Sequence, residues 1–135
     1  MKNPFQGIWS YRSLLNNPDL ATDFDKLEFG RGNIRIDPAP PGQFKGLIYG
    51  PGWELELFGS IQEGSPATVW FQGKGTVGGA PWVYDYLGYL VPQIPNGVDQ
   101  IPAIVGSVTR AIPHPNGNGG TSPAGVVASF YAVKQ

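Results

Sequence analysis

The sequence predicts an all-β chain: a closed antiparallel up-and-down barrel of about eight strands, with one short helical turn after the first strand. Three observations carry this. First, 20 glycines and 14 prolines punctuate a chain that is still 41% hydrophobic and 13% aromatic, too apolar to stay disordered. Second, apolar and polar residues between those breakers alternate with period two, the pattern of half-buried strands. Third, the last strand (Gly125-Val126-Val127-Ala128-Ser129-Phe130-Tyr131-Ala132-Val133) is too apolar to be an open edge. Pairing it with the first strand removes that edge, and without long helices to cover a sheet face, the sheet must cover itself.

The elements follow in order. Phe5 to Arg12 alternates, with Phe5, Gly7, Trp9 and Tyr11 on one face and Ile8, Ser10 and Arg12 on the other. Ser13 to Ala21 breaks the alternation, and Asn17 before Pro18 reads as an N-cap with proline at the first helical position, giving one or two short turns. Lys26 to Asp37 is strand-like, interrupted by a bend at Gly30-Arg31-Gly32, and Pro38, Pro40, Pro41 and Gly42 force a turn. Phe44 to Tyr49 is a short strand that Gly50-Pro51-Gly52 turns into Trp53 to Ile61. Ala67 to Lys74 follows the Glu63-Gly64-Ser65-Pro66 turn, and Pro81 to Leu90 follows Gly78-Gly79. Ile101 to Ala111 and Ala124 to Lys134 complete the set, separated by the flexible-looking loop from Pro113 to Gly120. Residues 1–135 form one domain of a size that buries a core without disulfides or metal.

Composition excludes several classes of function. A net charge of −1 leaves no basic stripe for phosphates, so no nucleic-acid partner is expected. Apolar runs are strand-sized, far below the roughly 20 residues of a spanning helix, so no membrane span is expected. The opening Met1-Lys2-Asn3-Pro4 lacks the apolar stretch of a signal peptide, and with no cysteine present the expected location is cytoplasmic. A single histidine excludes a zinc site built on several histidines, and neither metal nor cofactor is expected.

Gly7-Ile8-Trp9 at the start of the first strand, followed by a helical turn and a meander, resembles the opening of calycins: lipocalins, fatty-acid-binding proteins and avidin-like barrels. In lipocalins the tryptophan of such a motif closes the barrel floor against a basic residue near the last strands, a part that Arg110 or Lys134 is available to play. The whole chain is similar to a family of small uncharacterised bacterial proteins related in shape to allene oxide cyclase. The matching stretches are Phe5-x-Gly7-x-Trp9-x-Tyr11-Arg12-Ser13, Tyr84-Asp85-Tyr86-x-Gly88-Tyr89, Ile104 to Val108 and Ala128-Ser129-Phe130-x-Ala132-Val133-Lys134. That resemblance implies a fold and carries no established activity.

The most suggestive cluster is Tyr84-Asp85-Tyr86. Alternation sets Asp85 on one face of its strand and Trp82, Tyr84 and Tyr86 on the other. If the tyrosine face is inside, it makes an aromatic cavity with hydroxyl handles. If Asp85 is inside, desolvation raises its pKa and makes it an acid or base. Arg12 is either a structural ion-pair partner of Asp85 or Glu54, or an anchor for a ligand's anionic group. His114, between two prolines beyond a strand end, is either a loop histidine or the one imidazole open to proton transfer. Glu54 and Glu56 fit the solvent face of an amphipathic strand. The expected function is therefore binding of an apolar or aromatic small molecule, with Trp70, Trp82, Tyr84 and Tyr86 lining the cavity and Arg12 orienting a polar group. The alternatives are a cofactor-free cyclase or isomerase using Asp85 or His114, and an interaction protein with a filled lumen. The wealth of aromatic residues suggests a homodimer.

Overall fold

A computed structural model describes residues 3–135. Eight strands close into an antiparallel barrel: β1 (Gly7–Leu15), β2 (Glu28–Ile36), β3 (Gln43–Gly50), β4 (Trp53–Gln62), β5 (Thr68–Val77), β6 (Ala80–Val91), β7 (Ala103–Arg110) and β10 (Val127–Lys134). Each pairs with its sequence neighbour, and β10 returns to β1 with Tyr11 opposite Ala132, so the apolar last strand has no free edge. Two bridges of two residues each, β8 (His114–Pro115) and β9 (Thr121–Ser122), pair within the loop between β7 and β10. The closed all-β barrel is the fold that alternation and breakers predict, and its shape is consistent with the calycin resemblance.

The helical turn is displaced from its expected place. Strand β1 runs on to Leu15, and the single turn α1 occupies Phe24–Leu27. Asn17 and Asp19 instead accept bonds from the backbone N–H groups of Asp19 and Ala21, each at 2.9 Å, local turns that compete with helix formation. The expected bend at Gly30-Arg31-Gly32 is shifted: those three residues pair in register with Ser13, Arg12 and Tyr11, and the irregularity falls just before them, at Phe29. A Cβ on Gly32 would press on the Tyr49 carbonyl, so glycine there answers a close approach of strands.

One end of the bore is sealed. Trp9 is fully buried, its Nε1 donating 2.8 Å to the Phe5 carbonyl, and the Lys134 ammonium sits 5.1 Å from its ring centre. Lys134 also donates to the Gln6 carbonyl. Gly7 makes this possible: its φ of +135° suits glycine alone, and a Cβ there would strike the Lys134 ammonium. Of the two basic residues open to this role, Lys134 takes it, and Arg110 lies at the opposite end.

The middle of the bore is plugged by rings. Phe44, Phe71 and Tyr86 stack in a column, with centres 4.2 and 4.6 Å apart and planes 10° and 11° apart. Phe130 meets Tyr86 edge-on at 5.9 Å, and Tyr11 lies 5.6 Å from Phe130. Ile34, Ile48, Val69 and Ile104, all nearly fully buried, add to this core. Because Phe71 is the central ring of the column, Phe71→Ala is expected to cost about 3–5 kcal/mol of stability, checked by urea unfolding. A loss under about 1 kcal/mol would show that the column relaxes without its centre.

Candidate functional site

Above the ring plug the lumen opens into a cavity of about 400 Å³. Small inward residues, Gly30 on β2 and Ser13 on β1, line it, whereas the inward Gly32, Gly73 and Gly75 stand against close neighbours. Aromatic residues supply the walls: Tyr11, Phe29, Trp53, Trp82, Tyr84 and Tyr86 all line it, with Ser13 and Arg31 as polar members. Such a lining suits a flat apolar body held by a few polar contacts. A second depression of about 450 Å³ lies at the sealed end, between residues 39–43 and 61–67. Its lining holds no aromatic ring.

The loop after β7 covers part of the mouth. His114, 6% exposed, stacks on Trp82 with ring centres 3.8 Å apart and planes 11° apart. Its Nδ1 lies 2.8 Å from the Pro115 carbonyl, which only accepts, so Nδ1 carries the proton of the neutral ring. Nε2 is then the acceptor for the Tyr84 hydroxyl at 2.6 Å. That hydroxyl oxygen in turn accepts from Arg110 Nε at 2.9 Å. Arg110 completes its contacts on the Pro123 carbonyl, at 3.1 Å, and over the Phe29 ring, at 4.9 Å. The result is a directed chain, Arg110 to Tyr84 to His114 to the Pro115 carbonyl, which holds the loop on the barrel.

The three lumen tyrosines are held in their neutral form. Burial pushes Tyr11 up, against a smaller opposing effect of a hydrogen bond with Ser13. Burial also pushes Tyr86 well above the ordinary tyrosine value, reinforced by Tyr11 and Tyr84, and no hydrogen bond opposes it. Tyr84 is raised by burial too, with Arg110 pulling the other way through its hydrogen bond and charge. All three are therefore O–H groups at neutral pH. Trp82 Nε1 is buried with no hydrogen-bond partner.

The structure answers which face of β6 looks inward. Trp82, Tyr84 and Tyr86 face the lumen, whereas Asp85 faces outward and accepts 2.7 Å from Gln72 Nε2. The expected role of Asp85 as a lumen acid or base is thereby corrected, because alternation puts it on the wall opposite the tyrosines. Trp70, expected to line the cavity, is 65% exposed on the outer face of β5 opposite Leu87. Arg12, expected to orient a ligand, is also outside and donates 3.2 Å to the Tyr131 hydroxyl. It pairs with neither Asp85 nor Glu54. His114 is inside the site, beneath its loop. Sequence reasoning missed Tyr11, Phe29, Trp53 and Arg110 as site members. Tyr11, Trp53 and Arg110 share the inward parity of buried residues on their strands, which was the available signal.

Compared with protein-family models, with curated proteins and with solved structures, the chain matches none. The site's chemistry therefore has to be read from its own residues.

The raised tyrosines make stability depend on alkaline pH. In the unfolded chain tyrosines ionise near pH 10, whereas in the fold these three keep their protons beyond it. The unfolded state then binds fewer protons, so stability is full below about pH 10 and falls as pH rises above it. Urea midpoints measured from pH 8 to 11 are expected to drop, and less steeply in Tyr11→Phe/Tyr86→Phe. An equal slope in both proteins would refute the assignment.

Proposed function

We propose that this protein is a calycin-like small-molecule-binding barrel whose ligand is an apolar or aromatic molecule held in the upper lumen. The observation that carries this is the open half-bore, a cavity of about 400 Å³ walled by six aromatic residues. A bore filled by its own side chains is the alternative for barrels of this strand number. Here the filling stops at the Phe44–Phe71–Tyr86 column. Space of this size admits a two- or three-ring molecule, in the lower range of known ligand cavities.

The four tryptophans give a direct test, since Trp53 and Trp82 line the cavity while Trp9 is in the floor and Trp70 is outside. Titration with 2-methylnaphthalene, followed through the four indole N–H signals by NMR, is expected to move those of Trp53 and Trp82 only. Leu55→Phe, which adds bulk to the lining, is expected to weaken binding about tenfold while the fold is retained. Shifts confined to Trp70, or none at all, would overturn the proposal.

The second reading, a cofactor-free cyclase or isomerase, rests on the Tyr84–His114 contact at 2.6 Å. In it Tyr84 passes its proton to His114 Nε2, and the phenolate, beside Arg110, takes a proton from carbon next to a substrate carbonyl. Burial favours the neutral phenol and works against this step, which makes binding the leading reading. The enzyme reading predicts that the protein speeds deuterium exchange at C1 of 2-tetralone in heavy water and that His114→Ala returns the rate to that of buffer. Exchange no faster than in buffer would remove it.

A further inference from the structure

The cavity offers hydrogen-bond donors and almost no acceptors. No lining side chain is a carboxylate or a carboxamide. Tyr86 lines the cavity with a hydroxyl that no hydrogen bond holds, and Trp82, also in the lining, carries a buried Nε1 donor without a partner. A buried donor left unpaired is destabilising, and an acceptor brought to it by a ligand relieves that. Tyr84 is unlike these, because its proton is already given to His114.

Charge points the same way. Arg110 is half-buried behind the lining, packed on Phe29 and Tyr84, both of which line the space. Its recorded partners are a hydroxyl and a carbonyl, both neutral. Among the described residues the ion pairs are Arg31–Glu28 and Arg35–Asp37, so no carboxylate lies within 4.0 Å of the Arg110 guanidinium. The outward Asp85 is taken up by Gln72. A half-buried guanidinium without an anion, next to unpaired donors and aromatic walls, favours an anionic guest over a cationic one.

We propose that the ligand is a planar aromatic anion, an aromatic carboxylate being its simplest form. Its rings lie among Trp53, Trp82 and Tyr86, and its oxygens face Arg110 and the free donors. This rests on the binding function proposed above and adds the chemical class of the guest. A cationic aromatic amine of the same size meets no carboxylate or carboxamide in the lining and is repelled by Arg110. The site therefore discriminates by sign of charge among molecules of one shape.

Three probes of matched size separate the two claims: 2-naphthoate, 2-methylnaphthalene and 2-naphthylmethylammonium, titrated by NMR against the same indole signals. The expected order has 2-naphthoate binding at least about tenfold more tightly than the ammonium probe, with the hydrocarbon between them. Arg110→Met is expected to weaken 2-naphthoate about tenfold more than it weakens 2-methylnaphthalene. Because Arg110 also supports the loop, Tyr86→Phe provides a second variant that keeps the ring and removes one free donor. It too is expected to weaken the carboxylate more than the hydrocarbon. If 2-methylnaphthalene binds while 2-naphthoate binds no better than the ammonium probe, the anion proposal falls and the binding barrel stands. If none of the three probes moves Trp53 and Trp82, both fall.

Discussion

An eight-stranded bore is just wide enough for side chains to fill, so what such a barrel does depends on where its bulk is placed along the axis. Here that constraint is met by the column of Phe44, Phe71 and Tyr86, three near-parallel rings from three strands. Each stacked pair adds about 0.5–1.5 kcal/mol beyond the burial of its surface. The column divides the interior in two. Below it, Trp9, Ile36 and Ala132 are buried to 2% exposure or less. Above it, Gly30 and Ser13 line the open space, and Tyr86 serves both as the last ring of the plug and as part of the cavity lining.

The two ends of the barrel are closed by different physics. The floor uses a lysine over a tryptophan and a glycine that clears space for it, contacts that cap the core. The mouth uses a hydrogen-bonded chain from Arg110 through Tyr84 to His114, reinforced by the stack on Trp82. The first is a fixed seal between strands β1 and β10. The second joins strands to a loop whose Gly117, Gly119 and Gly125 all have positive φ. A loop held by two side-chain bonds and one stack opens at lower cost than a strand pair.

Much of this was legible in the residues. Alternation gave the strands, the apolar last strand gave closure, and Gly7-Ile8-Trp9 marked the sealed end. The cluster at Trp82, Tyr84 and Tyr86 stood out by composition, but the sequence left its direction open, because both faces of β6 are rich in apolar residues. Trp70 misled for a related reason: a tryptophan on a strand looks like core, and here it stands on the outer wall beside Leu87. Arg110 was legible as a basic residue near the last strands, but only the register shows that it belongs at the mouth. His114 was visible as the sole histidine, whereas its burial comes from a loop folding back over 30 residues of chain onto Tyr84, a contact that no local pattern encodes.

The seal between first and last strands has a further consequence. Since β1 begins and β10 finishes at the floor, the described chain enters and leaves the barrel at one pole, with Asn3 and Pro4 beside the 39–43 loop and the Gln135 backbone bonded to Ile8. The mouth is at the other pole. A group attached at Asn3 or Gln135 would therefore project away from the opening, and the barrel can be tethered through that pole with its cavity facing the solution.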